Sequence, residues 1–179
     1  MQVNVFTDGS CIKKEGQCYA GYGITFPEKE LKDMSGRFTK ENPTNQRAEL
    51  YAIYVALKKI IENIEFRKIN IYTDSEYSIK SLSIWMYKWA KNNWISSNKK
   101  TVKNLDIIKP LYEIINKYKA RISLIHVKAH TKKLDYYSKN NERADKLAVE
   151  GAKRQIKKKM MKENQDVEKK KKNKEEKKN

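Results

Sequence analysis

The apolar positions of this chain fall first into short β-forming runs and later into rows at helical spacing. "QVNVFTDGSC" and "QCYAGYGITFP" are rich in β-branched and aromatic residues and read as two strands joined through the turn "KKEG". "ELKDMSGRFT" reads as a third, weaker strand, and short connections make the three an antiparallel meander. The pattern then changes. In "TNQRAELYAIYVALKKIIENI", Ala48, Ala52, Ile53, Ala56 and Ile60 recur at helical spacing, with Thr44 or Asn45 as N-cap. "RKINIYTD" is the next strand, and a strand–helix–strand order predicts a parallel crossover.

The second half alternates. A polar helical stretch, "SEYSIKSLSIWMYKWAKNNW", precedes a proline-containing helix, "NLDIIKPLYEIINKY". The strand "RISLIHV" follows, then the loop "KAHTKKLDYYSK" and a last helix, "NNERADKLAVEGAK", striped by Ala144, Leu147, Ala148 and Ala152. A meander followed by alternation predicts an α/β fold: a mixed sheet with helices packed on it.

One feature of the strands is chemical. "VFTDGS" and "IYTDSE" have the same shape: β-formers, an aromatic, Thr, then Asp. The strands carrying Asp8 and Asp74 can lie side by side and parallel, and sites assemble at the carboxyl ends of such strands. Glu49 and Asp145 each stand early in a helix, one step from its apolar row. Singly, an Asp at a strand end is usually a turn residue and a Glu early in a helix a dipole-favoured surface acid. Converging, the four would repel one another unless a cation lay between them, and hard oxygen ligands suit Mg²⁺ or Mn²⁺ better than zinc.

Charge adds a partner. The 179 residues hold 40 Lys/Arg and 22 Asp/Glu, a formal net charge of +18. That excess points to polyanions, nucleic acid before an anionic membrane. No apolar run approaches membrane-spanning length and the first residues lack a signal-peptide pattern, so an intracellular protein, cytoplasmic or nuclear, is expected. From Lys153 onward 13 Lys/Arg stand against 5 Asp/Glu, a formal +8. With few apolar residues, 153–179 reads as a basic tail, disordered or helical, beside a globular domain over 1–152. Cys11 and Cys18 read as reduced thiols flanking a turn, with a disulfide across the hairpin as the alternative.

The stretches "FTDGS", "AGYGI", "TNQRAEL", "IYTDSEY", the three tryptophans from Trp85 to Trp94, "HVKAH" and "NNERADKLAVEGA" occur in the order found in ribonuclease H. Over about residues 3–152 the chain resembles the cellular type-1 branch of that family. The resemblance implies a five-stranded mixed sheet, three strands antiparallel and then two parallel, with helices on both faces. It implies endonucleolytic hydrolysis of the RNA strand of RNA–DNA hybrids by a monomer, with two Mg²⁺ ions, for which Mn²⁺ can substitute, leaving 5′-phosphate and 3′-hydroxyl ends.

Carried over motif by motif, Asp8, Glu49, Asp74 and Asp145 are the metal ligands and catalytic acids, and His130 of "VKAH" assists proton movement or product release. Asn45 and Gln46 match contacts to the RNA backbone near 2′-hydroxyls. Thr44 and Asn104 match a phosphate pocket for the DNA strand. Tyr77 and Trp85 match aromatic positions along the DNA groove, amid a basic handle of Lys88, Lys91, Lys99, Lys100 and Lys103. Trp89 and Trp94 read as core, and His126 as a structural residue of its strand. Two departures are visible. Ala129 stands where the family usually has Gly, and the loop from His130 to Asp145 is longer than the family pattern. An integrase or resolvase of the same fold is the competing reading, against which the handle and "TNQRAEL" argue. A non-catalytic nucleic-acid binder is the other, against which the full set of acids argues.

Overall fold

The β-forming runs pair into one five-stranded sheet of order β3-β2-β1-β4-β5. A computed structural model describes residues 1–131 and 133–176, without the side chains of 174–176. The strands are β1 (Gln2–Lys14), β2 (Gln17–Thr25), β3 (Met34–Arg37), β4 (Lys68–Thr73) and β5 (Ile122–His126). The first three are antiparallel, while β4 pairs parallel to β1 and β5 parallel to β4. This is the predicted mixed sheet.

Helix α1 (Asn45–Asn63) starts where the capping chemistry places it. The Thr44 hydroxyl accepts a hydrogen bond from the Arg47 backbone N–H at 3.1 Å. Its apolar row, including Leu50, Ile53, Leu57 and Ile60, is fully buried against β1 and β2. The predicted long helix after β4 is subdivided. A short α2 (Glu76–Lys80), a π-helical turn (Ser81–Trp85) and α3 (Met86–Lys91) follow one another, then α4 (Leu105–Lys117). Trp89 and Trp94 pack against the core, as their apolar bulk predicts.

Helix α5 (Tyr136–Glu176) begins earlier than expected and takes the helical one of the two readings of the basic segment. It begins inside the segment read as loop, because Asp135 caps it: Ser138 donates to the Asp135 carboxylate through both its backbone N–H and its hydroxyl, at 3.0 and 2.9 Å. It then runs unbroken through the basic segment as far as Glu176, while the predicted tail residues 177–179 lie outside the described residues. Near the β1–β2 hairpin Lys159 donates to Gln17 and, at 2.9 Å, to the Tyr19 hydroxyl. The hairpin also brings Cys11 and Cys18, Cα atoms 5.6 Å apart, together in a disulfide. Hairpin register overrides the reading of two reduced thiols: Cys11 lies opposite Ala20 and Lys13 opposite Cys18, so the cysteines are diagonal neighbours.

The two faces are covered at backbone-to-backbone range. A Cβ at Gly9 would overlap the backbone of Ala48 and Glu49 in α1, and a Cβ at Gly23 would overlap that of Ala144 and Ala148 in α5. Helices α1 and α4 are joined by a two-pronged ion pair: Arg47 Nη1 to Asp106 Oδ1 at 2.7 Å and Nη2 to Oδ2 at 2.6 Å.

Two stability measurements follow. Gly23→Ala forces α5 off the sheet, since its clash is with backbone, and should cost about 1–3 kcal/mol, read as a lower Tm by calorimetry; an unchanged Tm contradicts the packing. Hydrogen bonds and charge from Arg47 lower the Asp106 pKa. A depressed folded-state value means that the pair stabilises fully above the unfolded value of about 3.9 and that this contribution is lost as pH falls through the folded-state pKa. Asp106→Asn should therefore lower Tm at neutral pH, with the gap to the parent protein closing under acid conditions. A gap that is constant with pH contradicts the ion pair.

Candidate active site

The twin Asp motifs converge because their strands are in register. Phe6 of β1 lies opposite Tyr72 of β4 in the parallel ladder. Their rings stack 4.6 Å apart at 14°. Asp8 and Asp74 each follow two residues later, so the same count brings both acids to the same level of the sheet. Glu49 arrives from α1, whose backbone rests on Gly9, the residue directly after Asp8. A larger residue at position 9 would hold Glu49 away.

Carboxylate oxygens of Asp8, Glu49 and Asp74 all lie within 4.8 Å of one another. Asp8 is 5% exposed and Glu49 6%. Burial, then the charges of Glu49, Asp74 and Asp145, push the Asp8 pKa up to about 10. Burial, then Asp74, pushes Glu49 up to about 8. One Glu49 oxygen, Oε2, is buried without a hydrogen-bond partner, while Oε1 accepts from Asn45 Nδ2 at 3.4 Å. Buried carboxylates that repel one another, with an oxygen left unpartnered, fit divalent cations: a cation removes the repulsion and supplies the missing partner.

Asp145 lies in the third turn of α5, near enough to Asp8 for its charge to help raise the Asp8 pKa. Its oxygens are not among the three that close to within 4.8 Å. One helical turn earlier, buried Asn141 donates from Nδ2 to Asp74 Oδ2 at 2.9 Å. No role followed for Asn141 from the sequence, although its four-residue spacing from Asp145 puts both on one helix face. His130 is exposed, with φ 48°, and lines a cavity of about 210 Å³ together with Asn141, Glu142 and Asp145. His126 lies on β5 with Nε2 3.3 Å from the Asp74 carbonyl oxygen.

The residues matched to hybrid contacts form a second group, and Arg47 ties it together. Thr44, Asn45 and Gln46 are exposed on the first turn of α1. The Arg47 backbone N–H holds the Thr44 hydroxyl, and its Nη1 donates to Asn104 Oδ1 at 3.4 Å. Asn104 in turn donates to the Tyr77 hydroxyl at 2.9 Å, and the Tyr77 ring meets Trp85 edge-on at 6.1 Å. Asn104 has left-handed backbone, φ 62°, which asparagine adopts more readily than most residues. Arg47, 8% exposed, was also without a role in the sequence; an arginine inside the apolar row of a helix was the available signal. The five handle lysines, Lys88, Lys91, Lys99, Lys100 and Lys103, are all exposed.

Known proteins with this fold and sequence agree with one another. The ribonuclease H of Schizosaccharomyces pombe is 39% identical over 150 residues, covering 83% of this chain and 52% of that protein, so the chain spans about half its length. The ribonuclease H of Shewanella denitrificans is 36% identical over 152 residues, covering 84% of this chain and 87% of that protein. Among solved structures, the PFV RNase H domain superposes with a TM-score of 0.67 at 29% identity, covering 84% of this chain and 93% of that one. A foamy viral protease-reverse transcriptase in complex with RNA/DNA hybrid gives 0.69 at 25% identity, over 84% of this chain and 20% of that one. The family model described as RNase H matches residues 1–153, and with the parallel pair of acid-bearing strands and the helix-borne Glu49 beside them, the chain belongs to the RNase H family.

Proposed function

We propose that this protein hydrolyses the RNA strand of RNA–DNA hybrids endonucleolytically, leaving 5′-phosphate and 3′-hydroxyl ends. The observation that carries the proposal is the buried convergence of Asp8, Glu49 and Asp74 oxygens within 4.8 Å. Asp8, Glu49, Asp74 and Asp145 would hold two divalent ions, Mg²⁺ or in its place Mn²⁺, and such a pair supplies activation of the attacking water and charge stabilisation of the leaving 3′ oxygen.

The remaining residues bind and orient. Asn141 fixes the Asp74 carboxylate through its 2.9 Å hydrogen bond. Asn45 and Gln46 offer amides that can donate to and accept from 2′-hydroxyls, the group that separates RNA from DNA. Thr44 and Asn104 take a phosphate of the DNA strand, and Arg47 holds both in place, Thr44 through its backbone N–H and Asn104 through its guanidinium. Tyr77 and Trp85 present ring surface to the sugars beside it. His130, at the cavity shared with Asp145, moves a proton on or off the product. The foamy viral relative solved with a hybrid supports the same substrate class.

A labelled-hybrid assay tests this reading against duplex DNA and single-stranded RNA. With Mg²⁺ the RNA strand of the hybrid alone should be cut, and a chelator should stop the reaction. Asp8→Asn and Asp74→Asn should reduce cleavage to background while hybrid binding persists. Near-normal cleavage by either variant sinks the site. His130→Ala should lower kcat about 10²-fold and leave KM little changed; complete loss, or no effect, refutes its assisting role.

A further inference from the structure

The mechanism makes no use of the far half of α5, yet that half carries a built feature. A cavity of about 650 Å³ lies between the edge strand β3 and the helix. Arg37 lines it from β3, and Arg154, Lys157, Lys158 and Lys162 line it from α5. Its other walls are Met161 and Gln165, so no carboxylate faces the space. Arg154 is partly engaged, donating to the Ser35 carbonyl at 2.9 Å and pairing loosely with Glu150 at 3.7 Å. Among the described residues, Arg37, Lys157, Lys158 and Lys162 have no ion-pair partner. Several unpaired cations around one concavity repel one another, which weakens the free protein and favours an anion between them.

We propose that this groove is a second phosphate-backbone site, which grips the nucleic acid duplex beyond the segment being cleaved. The inference rests on the proposed nucleic-acid substrate. The cations from Arg154 to Lys162 extend about 12 Å along the helix, enough for about three phosphates of one strand at 3.4 Å of axial rise each. Their row is linear and shares one rigid helix with Asp145, Lys158 lying about 20 Å further along its axis. A polymer of regularly spaced charge fits a linear row set in a groove. An anionic bilayer surface would need apolar side chains to insert beside the cations, and of the residues lining the groove only Met161 is apolar. The lining contains no base-reading constellation, so the contact is with backbone and insensitive to sequence.

The test is equilibrium binding of the full chain, with chelator present, to long and short RNA–DNA hybrids and to all-DNA duplexes over a range of salt. Cleavage is not read, so the groove stands or falls separately from the ribonuclease reading. The Lys157→Gln, Lys158→Gln, Lys162→Gln triple variant should bind long duplexes of both kinds at least tenfold more weakly at low salt. Its plot of log affinity against log salt should be shallower by about two to three, with Tm unchanged. Arg37→Gln, on a different element, should shift the slope in the same direction, and short duplexes should show neither effect. A matched control, Lys170→Gln, Lys171→Gln, Lys172→Gln, removes equal charge outside the groove and should do less. Equal loss from the control means a diffuse tail effect and overturns the groove. An unchanged slope, a fall in Tm without a change in slope, or lost affinity only for phosphatidylserine vesicles overturns it as well.

Discussion

The parallel pairing of β1 with β4 is the constraint on which the rest depends. With Phe6 opposite Tyr72, equal counts along both strands bring Asp8 and Asp74 level. A slip of one residue would turn every side chain of one strand to the other face and separate the acids. The register is defended by burial on both sides: Val3, Val5 and Phe6 of β1 and Ile69 and Ile71 of β4 are fully buried. A rigid strand that ends in a carboxylate is thus a mount whose position is set by core packing some residues away.

The convergence of buried acids is costly to the protein. Burial and the neighbouring carboxylates raise the pKa of both Asp8 and Glu49, so each acid makes ionisation of the others harder. The same repulsion is what a cation held among the carboxylates would relieve. A net charge of +18 thus surrounds a buried acidic cluster, so the chain as a whole and the site carry opposite signs.

Arg47 and α5 connect the acidic site with the cationic surface. Arg47 holds Thr44 through its backbone N–H and Asn104 and Asp106 through its guanidinium, so one residue orients two groups matched to the phosphate pocket and locks α1 to α4. It stands two residues before Glu49 on the same helix. Helix α5 does the corresponding job on the opposite face. Its first turns position Asn141 and Asp145, its middle seats on Gly21 and Gly23 through small residues, and its far half presents the basic groove. A shift of either helix is therefore felt at the acids and at the cationic surface together.

The residue order alone determined the meander, the crossover, the strand-borne acids and the kind of ion they suit, since these follow from periodicity, capping chemistry and ligand type within a few residues. It also carried motifs specific enough to point to the family. Other features belonged to the tertiary structure. Asp135 as a cap and the unbroken course of α5 to Glu176 were hidden by a polar, lysine-rich composition that lacks an apolar stripe. The disulfide depended on hairpin register, the Arg47 hub on Asp106 being 59 residues away, and the hold of Asn141 on Asp74 on a partner 67 residues away. The basic groove needed β3 and α5 brought side by side. Local chemistry is written in neighbouring residues, whereas each of these pairings joins segments whose approach is decided by how the whole sheet and its two helical layers pack.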